Sequence, residues 1–281
     1  MNVTRLEFAR GCAAAMVASL AAAPIDWSFP GIVAAYAQRL DDAAPFVAHE
    51  AALVMPAAST IKVLILLAAI ERMEREGLSW SRDLTVASGD VVGASETFGS
   101  ARAGQRVSIE ALAQAMIAQS DNTAANVFVD WLGFERIGRT ASAAGMDSTD
   151  VRRHFMDFAA RALGLDNTTT ARDMATLLYG IGNGATRGFA GVSANGCRRI
   201  VRFMLGQEDR DTIPAAVSRH VRIANKTGVL QGIRHDVALV GIGTPNAYAI
   251  ALLSENFTNG AAAYARLRTI AAAIDAMTTF G

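Results

Sequence analysis

Three kinds of hydrophobic pattern succeed one another along the chain. Gly31–Arg39 (GIVAAYAQR), a turn at Asp41-Asp42, and Phe46–His49 read as a short hairpin. From Ser59 the pattern changes: STIKVLILLAAIERMEREG is apolar all round for its first turns and charged only toward its end. That predicts a helix whose N-terminal half is buried and which Gly77 stops. Further helices are predicted over Ile109–Gln119, Thr123–Leu132 and Asp157–Leu163, and another starts at Thr170, where Thr170-x-x-Asp173 makes a capping box before MATLL. Extended segments return at Val221–Asn225, Asp236–Ile242 and Ala247–Leu253, separated by short turns such as Thr244-Pro245-Asn246. Gly260 to about Met277 predicts a last helix with Tyr264, Leu267, Ile270, Ile274 and Met277 on one face.

Strands therefore lie at both ends with helices between them, which predicts an α+β fold: one sheet built from both chain ends, with a helical insertion. The corresponding organisation is a sheet subdomain of residues 24–58 and 205–281 and a helical subdomain of residues 59–204. Residues 1–23 stand apart. Gly11–Ile25 carries no charge, follows Arg5 and Arg10, and ends in small residues, as a secretory signal does. The alternative is an ordinary N-terminal helix, since Leu6, Ala9, Ala13, Val17 and Leu20 recur at helical spacing. The run is too short and too rich in Ala for a membrane span, so an exported protein without a permanent span is expected.

Composition narrows the class. At 281 residues, with 52% hydrophobic and 19% charged, the chain is globular, and disordered, collagen-like and coiled-coil classes are excluded. The 26 basic and 26 acidic residues cancel. That leaves no electrostatic footprint for nucleic acid and favours a small-molecule partner; a monomer is expected. Cys12 and Cys197 cannot build a disulfide framework, and the absence of CxxC or Cys/His clusters argues against zinc.

The basic residues say more. Only two of the 26 are lysines, Lys62 and Lys226. An ammonium, unlike a guanidinium, can lose its proton near neutrality when desolvated, so isolated lysines in an arginine-rich chain are candidates for acid/base chemistry. Lys62 closes Ser59-Thr60-Ile61-Lys62 at the start of the apolar helix, where positions i and i+3 share a face and a dry lysine can take a proton from a serine hydroxyl. Lys226 opens Lys226-Thr227-Gly228 at the end of the segment VRIAN. A third element, Ser120-Asp121-Asn122, lies where one predicted helix stops and the next begins.

The order Ser-x-x-Lys, Ser-Asp-Asn, Lys-Thr-Gly is that of active-site serine penicillin-recognising enzymes. From about residue 30 onward the chain resembles the class A β-lactamase-related serine hydrolases, kin of the D,D-peptidases; FPGIVAAYA, PAASTIKV, SDNTAAN, TTTARDMATLL and ANKTG follow that family in order. The resemblance implies an antiparallel sheet flanked by the terminal helices, a helical subdomain, and a site in the groove between them, with neither metal nor organic cofactor. It implies Ser59 as the acylated nucleophile, Lys62 as its proton acceptor and Ser120 as a relay. Asn122 is then a contact for the substrate amide, and Lys226 with Thr227 the site for the substrate carboxylate. Gly228 lets the substrate approach, and the backbone N–H groups of Ser59 and Val229 form the oxyanion hole. The expected reaction is opening of a β-lactam or peptide-like substrate through a Ser59 acyl-enzyme. The alternatives are a penicillin-binding or D,D-peptidase-like protein that acylates and deacylates slowly, or a peptide or ester hydrolase.

One departure stands out. The family's Glu-x-x-Leu-Asn, whose Glu orients the deacylating water, has no counterpart in VRRHFMDFAARALGLDNTTT, which contains no Glu. Asp157 is the nearest carboxylate and a candidate deacylation base, with a helix cap as its competing role; His154 is the nearest imidazole. Arg234 is a candidate second contact for the substrate carboxylate, or half of an ion pair. His235 and Asp236, adjacent in a predicted strand, point to opposite faces, which argues against a Ser-His-Asp triad.

Overall fold

The computed structural model describes residues 24–217 and 220–278; the signal segment or helix expected at 1–23 lies outside the described residues. In chain order the elements are β1 (Ile32–Arg39), β2 (Pro45–His49), β3 (Met55–Pro56), a 3₁₀ turn (Ala58–Ile61), α1 (Lys62–Glu76), β4 (Asp83–Thr85), β5 (Arg106–Ser108), α2 (Ile109–Ala118), α3 (Asn122–Leu132) and α4 (Phe134–Ala143). They continue through α5 (Phe158–Ala162), β6 (Thr168–Thr169), α6 (Ala171–Arg187), α7 (Ala194–Leu205), α8 (Ile213–Ala216), β7 (Ile223–Leu230), β8 (Ile233–Val240), β9 (Tyr248–Glu255) and α9 (Gly260–Ala276).

Five strands form an antiparallel sheet in the order β2-β1-β9-β8-β7. The fold is thus α+β, with a sheet made from both chain ends. β1 runs beside β9 from Ile32 opposite Glu255 to Arg39 opposite Tyr248. Side chains alternate between the faces of each strand, so the sheet feeds two cores. Ala34, Leu239, Ala251 and Leu253 pack with α1, α3 and α6 residues on one side. Val33, Ala35, Ile250 and Leu252 meet Leu267, Ile270 and Ile274 of α9 on the other. Burial on both faces explains why β9 and the second half of β8, Val237–Val240, read as nearly unbroken apolar runs rather than strict alternations.

α1 is buried along Lys62–Ile70 and ends where Gly77 takes a left-handed conformation at φ 64°, so the expected stop falls where Gly relieves the steric cost of that turn. Three expectations shift. The strand predicted to stop at Asn225 continues to Leu230, and its partner begins at Ile233 rather than Asp236. Only Gln231-Gly232 separate the two strands, and Gly232 at φ 69° permits so tight a reversal. Helices α4 and α7 form where none was expected. α6 packs against β1 and β9 as well as α7, so it bridges the two expected subdomains.

Candidate functional site

Ser59 stands in the 3₁₀ turn, not in α1 itself, and follows Ala58, whose backbone is left-handed at φ 48°. In a 3₁₀ turn residues i and i+3 eclipse, which aligns Ser59 with Lys62, the first residue of α1. Lys62 is fully buried. Its Nζ donates to the Ser120 carbonyl at 2.5 Å and to Asn122 Oδ1 at 2.8 Å, and lies 3.4 Å from Ser120 Oγ. Burial first, and then the charge of Lys226, push its pKa well below the ordinary lysine value, while Asp121 opposes the shift. A lysine so placed can be neutral and accept a proton.

Ser120 joins α2 to α3 in a left-handed conformation, φ 61°. The buried Asp121 caps α3 by accepting from Ala124 N at 2.8 Å, and its other oxygen accepts from Thr97 N and Phe98 N at 3.0 and 2.9 Å. One carboxylate thus fixes both the start of α3 and the loop facing it. Asn122 uses both ends of its amide, accepting from Lys62 and donating to the Ala94 carbonyl at 2.8 Å.

β7 brings Lys226, Thr227, Gly228 and Val229 alongside the 3₁₀ turn. A Cβ on Gly228 would lie 3.0 Å from Ala58 Cβ and 3.1 Å from Ser59 N, so glycine here serves the approach of β7 to the backbone of Ser59. Lys226 is fully buried and its Nζ donates to the Thr227 carbonyl at 2.8 Å. Burial lowers its pKa to about 7 against the opposing pull of Asp236 and Asp209. Ser59, Ser120, Asn122, Thr227 and Val229 line a cavity of about 350 Å³ together with Glu96, Glu208 and Asp209. A second cavity of about 200 Å³ shares Ser59, Asn122 and Val229 with it and adds Phe155, Met156 and Phe158.

The segment between α4 and α6 supplies what sequence reasoning did not single out. Residues 151–169 are pinned where Asp166 accepts from Arg153 at 2.7 and 2.9 Å and pairs with Arg161 at 3.0 Å. Asn126 clasps the Phe155 backbone from both sides. The Phe155 ring thereby lies 4.6 Å from Lys62 Nζ, so the loop presents an aromatic face, not a carboxylate, to the lysine. Asp157 is exposed and caps α5 by accepting from Ala160 N at 2.9 Å. His154 pairs with Asp130 at 2.6 Å.

Arg234, nearly buried, makes a bidentate pair with Asp209 at 2.6 and 2.8 Å, donates from Nε to Thr212 Oγ1 at 2.9 Å, and stacks on Tyr264. His235 and Asp236 are held apart on their opposite faces: the imidazole bonds the Pro56 carbonyl, and the carboxylate accepts from Ile213 N and Asn225 Nδ2. Among the described residues no His/Cys/Asp/Glu group could hold a metal ion, and no helix is long and apolar enough to cross a membrane.

The profile of the Beta-lactamase enzyme family matches residues 19–277. The chain belongs to that family. No curated protein sequence matches it. Among solved structures this β-lactamase-family chain is similar to PBP-A, at 25% identity and TM-score 0.78 over 88% of this chain and 90% of that one. It is also similar to a beta-lactamase from Burkholderia vietnamiensis, at 23% identity and TM-score 0.79 over 89% and 91%. A third is the beta-lactamase from Sphaerobacter thermophilus DSM 20745, at 21% and 0.78 over 89% and 92%. These likenesses show the fold, and the family match sets the chain among the β-lactamase-related serine hydrolases.

Proposed function

We propose that this protein is an acyl-transferring serine hydrolase that opens β-lactams or related cyclic or peptide-like amides through a Ser59 acyl-enzyme, and that it releases the acyl group slowly. The observation that carries the reading is Lys62: buried, depressed in pKa, one 3₁₀ turn from Ser59 and bonded to Ser120 and Asn122. Ser59 Oγ attacks the carbonyl carbon and its proton passes to neutral Lys62. The N–H groups of Ser59 and Val229 receive the developing oxyanion, and Ser120 relays the proton to the departing nitrogen. Water must then cleave the ester. The loop offers Phe155 to Lys62, and Asp157 is committed to the α5 cap, so the loop that holds the family's water-activating Glu supplies no carboxylate to assist that second step.

The test is a time course of intact mass with excess benzylpenicillin, with the adduct mapped by peptide mass. An adduct on Ser59 that persists, with a burst of about one equivalent and a slow steady phase, is expected. General-base assistance is worth about 10²–10⁴-fold, so steady turnover should lie about that far below that of an enzyme retaining the base. Asp157→Asn should leave both phases unchanged; a steady phase slowed by that change alone would make Asp157 the base. No adduct from either benzylpenicillin or its methyl ester, or one elsewhere, would overturn the reading.

A further inference from the structure

The family resemblance assigns Thr227, with Lys226 and an arginine, to a substrate carboxylate. In this chain the arginine is already spent. Both terminal nitrogens of Arg234 donate to one carboxylate, Asp209, at 2.6 and 2.8 Å; Nε is taken by Thr212 and the guanidinium face by Tyr264. Arg234 is only 2% exposed, so it has no free edge to offer a ligand.

Asp209, by contrast, faces the cavity. It lines the same wall as Ser59 and Thr227, and its side chain is 30% exposed. Burial alone would raise its pKa, but the bonds and charge of Arg234, the Asp211 amide and the Thr227 hydroxyl more than offset that and keep it a carboxylate. Its position is fixed. Glu208 N donates to the Ala118 carbonyl at 3.1 Å, and the Asp209 carbonyl accepts from Asn225 Nδ2 at 3.1 Å. Glu96 and Glu208 lie on the same lining, which includes no lysine or arginine. Lys226 points its Nζ into the backbone of its own strand.

From this arrangement we infer that Asp209 is a specificity-determining residue: it fills the carboxylate-receiving place beside Thr227 from within the protein and selects acyl donors that carry no negative charge there, neutral or amine-bearing ones. Two like charges at contact range in a partly buried groove repel, and the acidic rim adds to that. The inference rests on Ser59 being the acylated nucleophile.

Benzylpenicillin and its methyl ester differ only in the carboxylate, so the ratio of their Ser59 acylation rates, followed by intact mass on the full chain, reads the effect directly. In the wild type the ester should react at least as fast as the free acid, and added salt should speed the acid but not the ester. Asp209→Asn should shift the ratio toward the free acid by about tenfold. A wild type that acylates the free acid about tenfold faster than the ester would overturn the inference, as would a ratio unmoved in a folded Asp209→Asn variant. If that variant fails to fold, the wild-type ratio and its salt dependence decide alone. Labelling of Ser59 by neither compound would instead strike the acyl-enzyme reading itself.

Discussion

At the scale of single residues the site depends on two positions where chemistry and space leave no substitute. Lys62→Arg keeps a charge but cannot give up its proton, and a planar fork does not fit the contacts an ammonium makes with Ser120 and Asn122. Acylation by the folded variant should fall by about 10²–10⁴-fold in stopped-flow assays. Gly228→Ala places a methyl 3.1 Å from Ser59 N and 3.0 Å from Ala58 Cβ. The 3₁₀ turn must yield, and displacement of a nucleophile by a fraction of an ångström should cost about 10–100-fold in acylation, again with folding intact. These residues were legible because each motif joins residue types with few other reasons to occur together. Phe155 and Asp209 were not: an aromatic in a loop reads as core filler, and Asp209 meets Arg234 only through the packing of segments 25 positions apart.

Elements carry the positions of those side chains. The loop of residues 151–169 is held by Asp166, which joins Arg153 and Arg161, with Arg153 side chain only 7% exposed. Asp166→Ala leaves Arg153 buried without its partner and should cost about 3–5 kcal/mol of stability in chemical denaturation. Proteolysis should then open first within that loop, and release of the acyl group should change more than its formation, because Ser59 and Lys62 are anchored elsewhere. Helices α4 and α7 escaped sequence reading because FERIGRTASA and ANGCRRIVRFML interleave arginines and glycines with their apolar positions. β7 was read too short for a related reason. Lys-Thr-Gly resembles a turn by composition, yet its residues are buried where the strand passes the 3₁₀ turn and the lysine of α1.

For the whole molecule, His235 and Asp236 set a pH response of opposing signs. Burial lowers the His235 pKa to about 4; its Nε2–H donates to Pro56 and Nδ1 accepts from Ser254 N, so the neutral ring is fully bonded. Its contribution is complete above pH 6.5 and is lost as pH falls through about 4. Burial raises Asp236 to about 6, so its contribution is complete below 3.8 and is lost as pH rises through about 6. Each is worth about 3 kcal/mol, and over the shared window they nearly cancel. Wild-type denaturation free energy should therefore draw little slope from this pair between pH 4 and 6. His235→Gln should lose stability as pH rises across that interval, and Asp236→Asn as pH falls; parallel profiles for all three proteins would refute the assignment. The strand order has a consequence for assembly as well. β9, the last strand made, lies in the middle of the sheet, between β1 and β8. Until residues 248–255 arrive, the earlier strands are two separate hairpins with exposed edges, and the platform bearing Lys226 has no fixed place beside Ser59. A growing chain therefore has no assembled groove between Ser59 and β7 until residues 248–255 have been synthesised, and a truncation before Tyr248 should yield a protein that neither forms an adduct on Ser59 nor stays in solution.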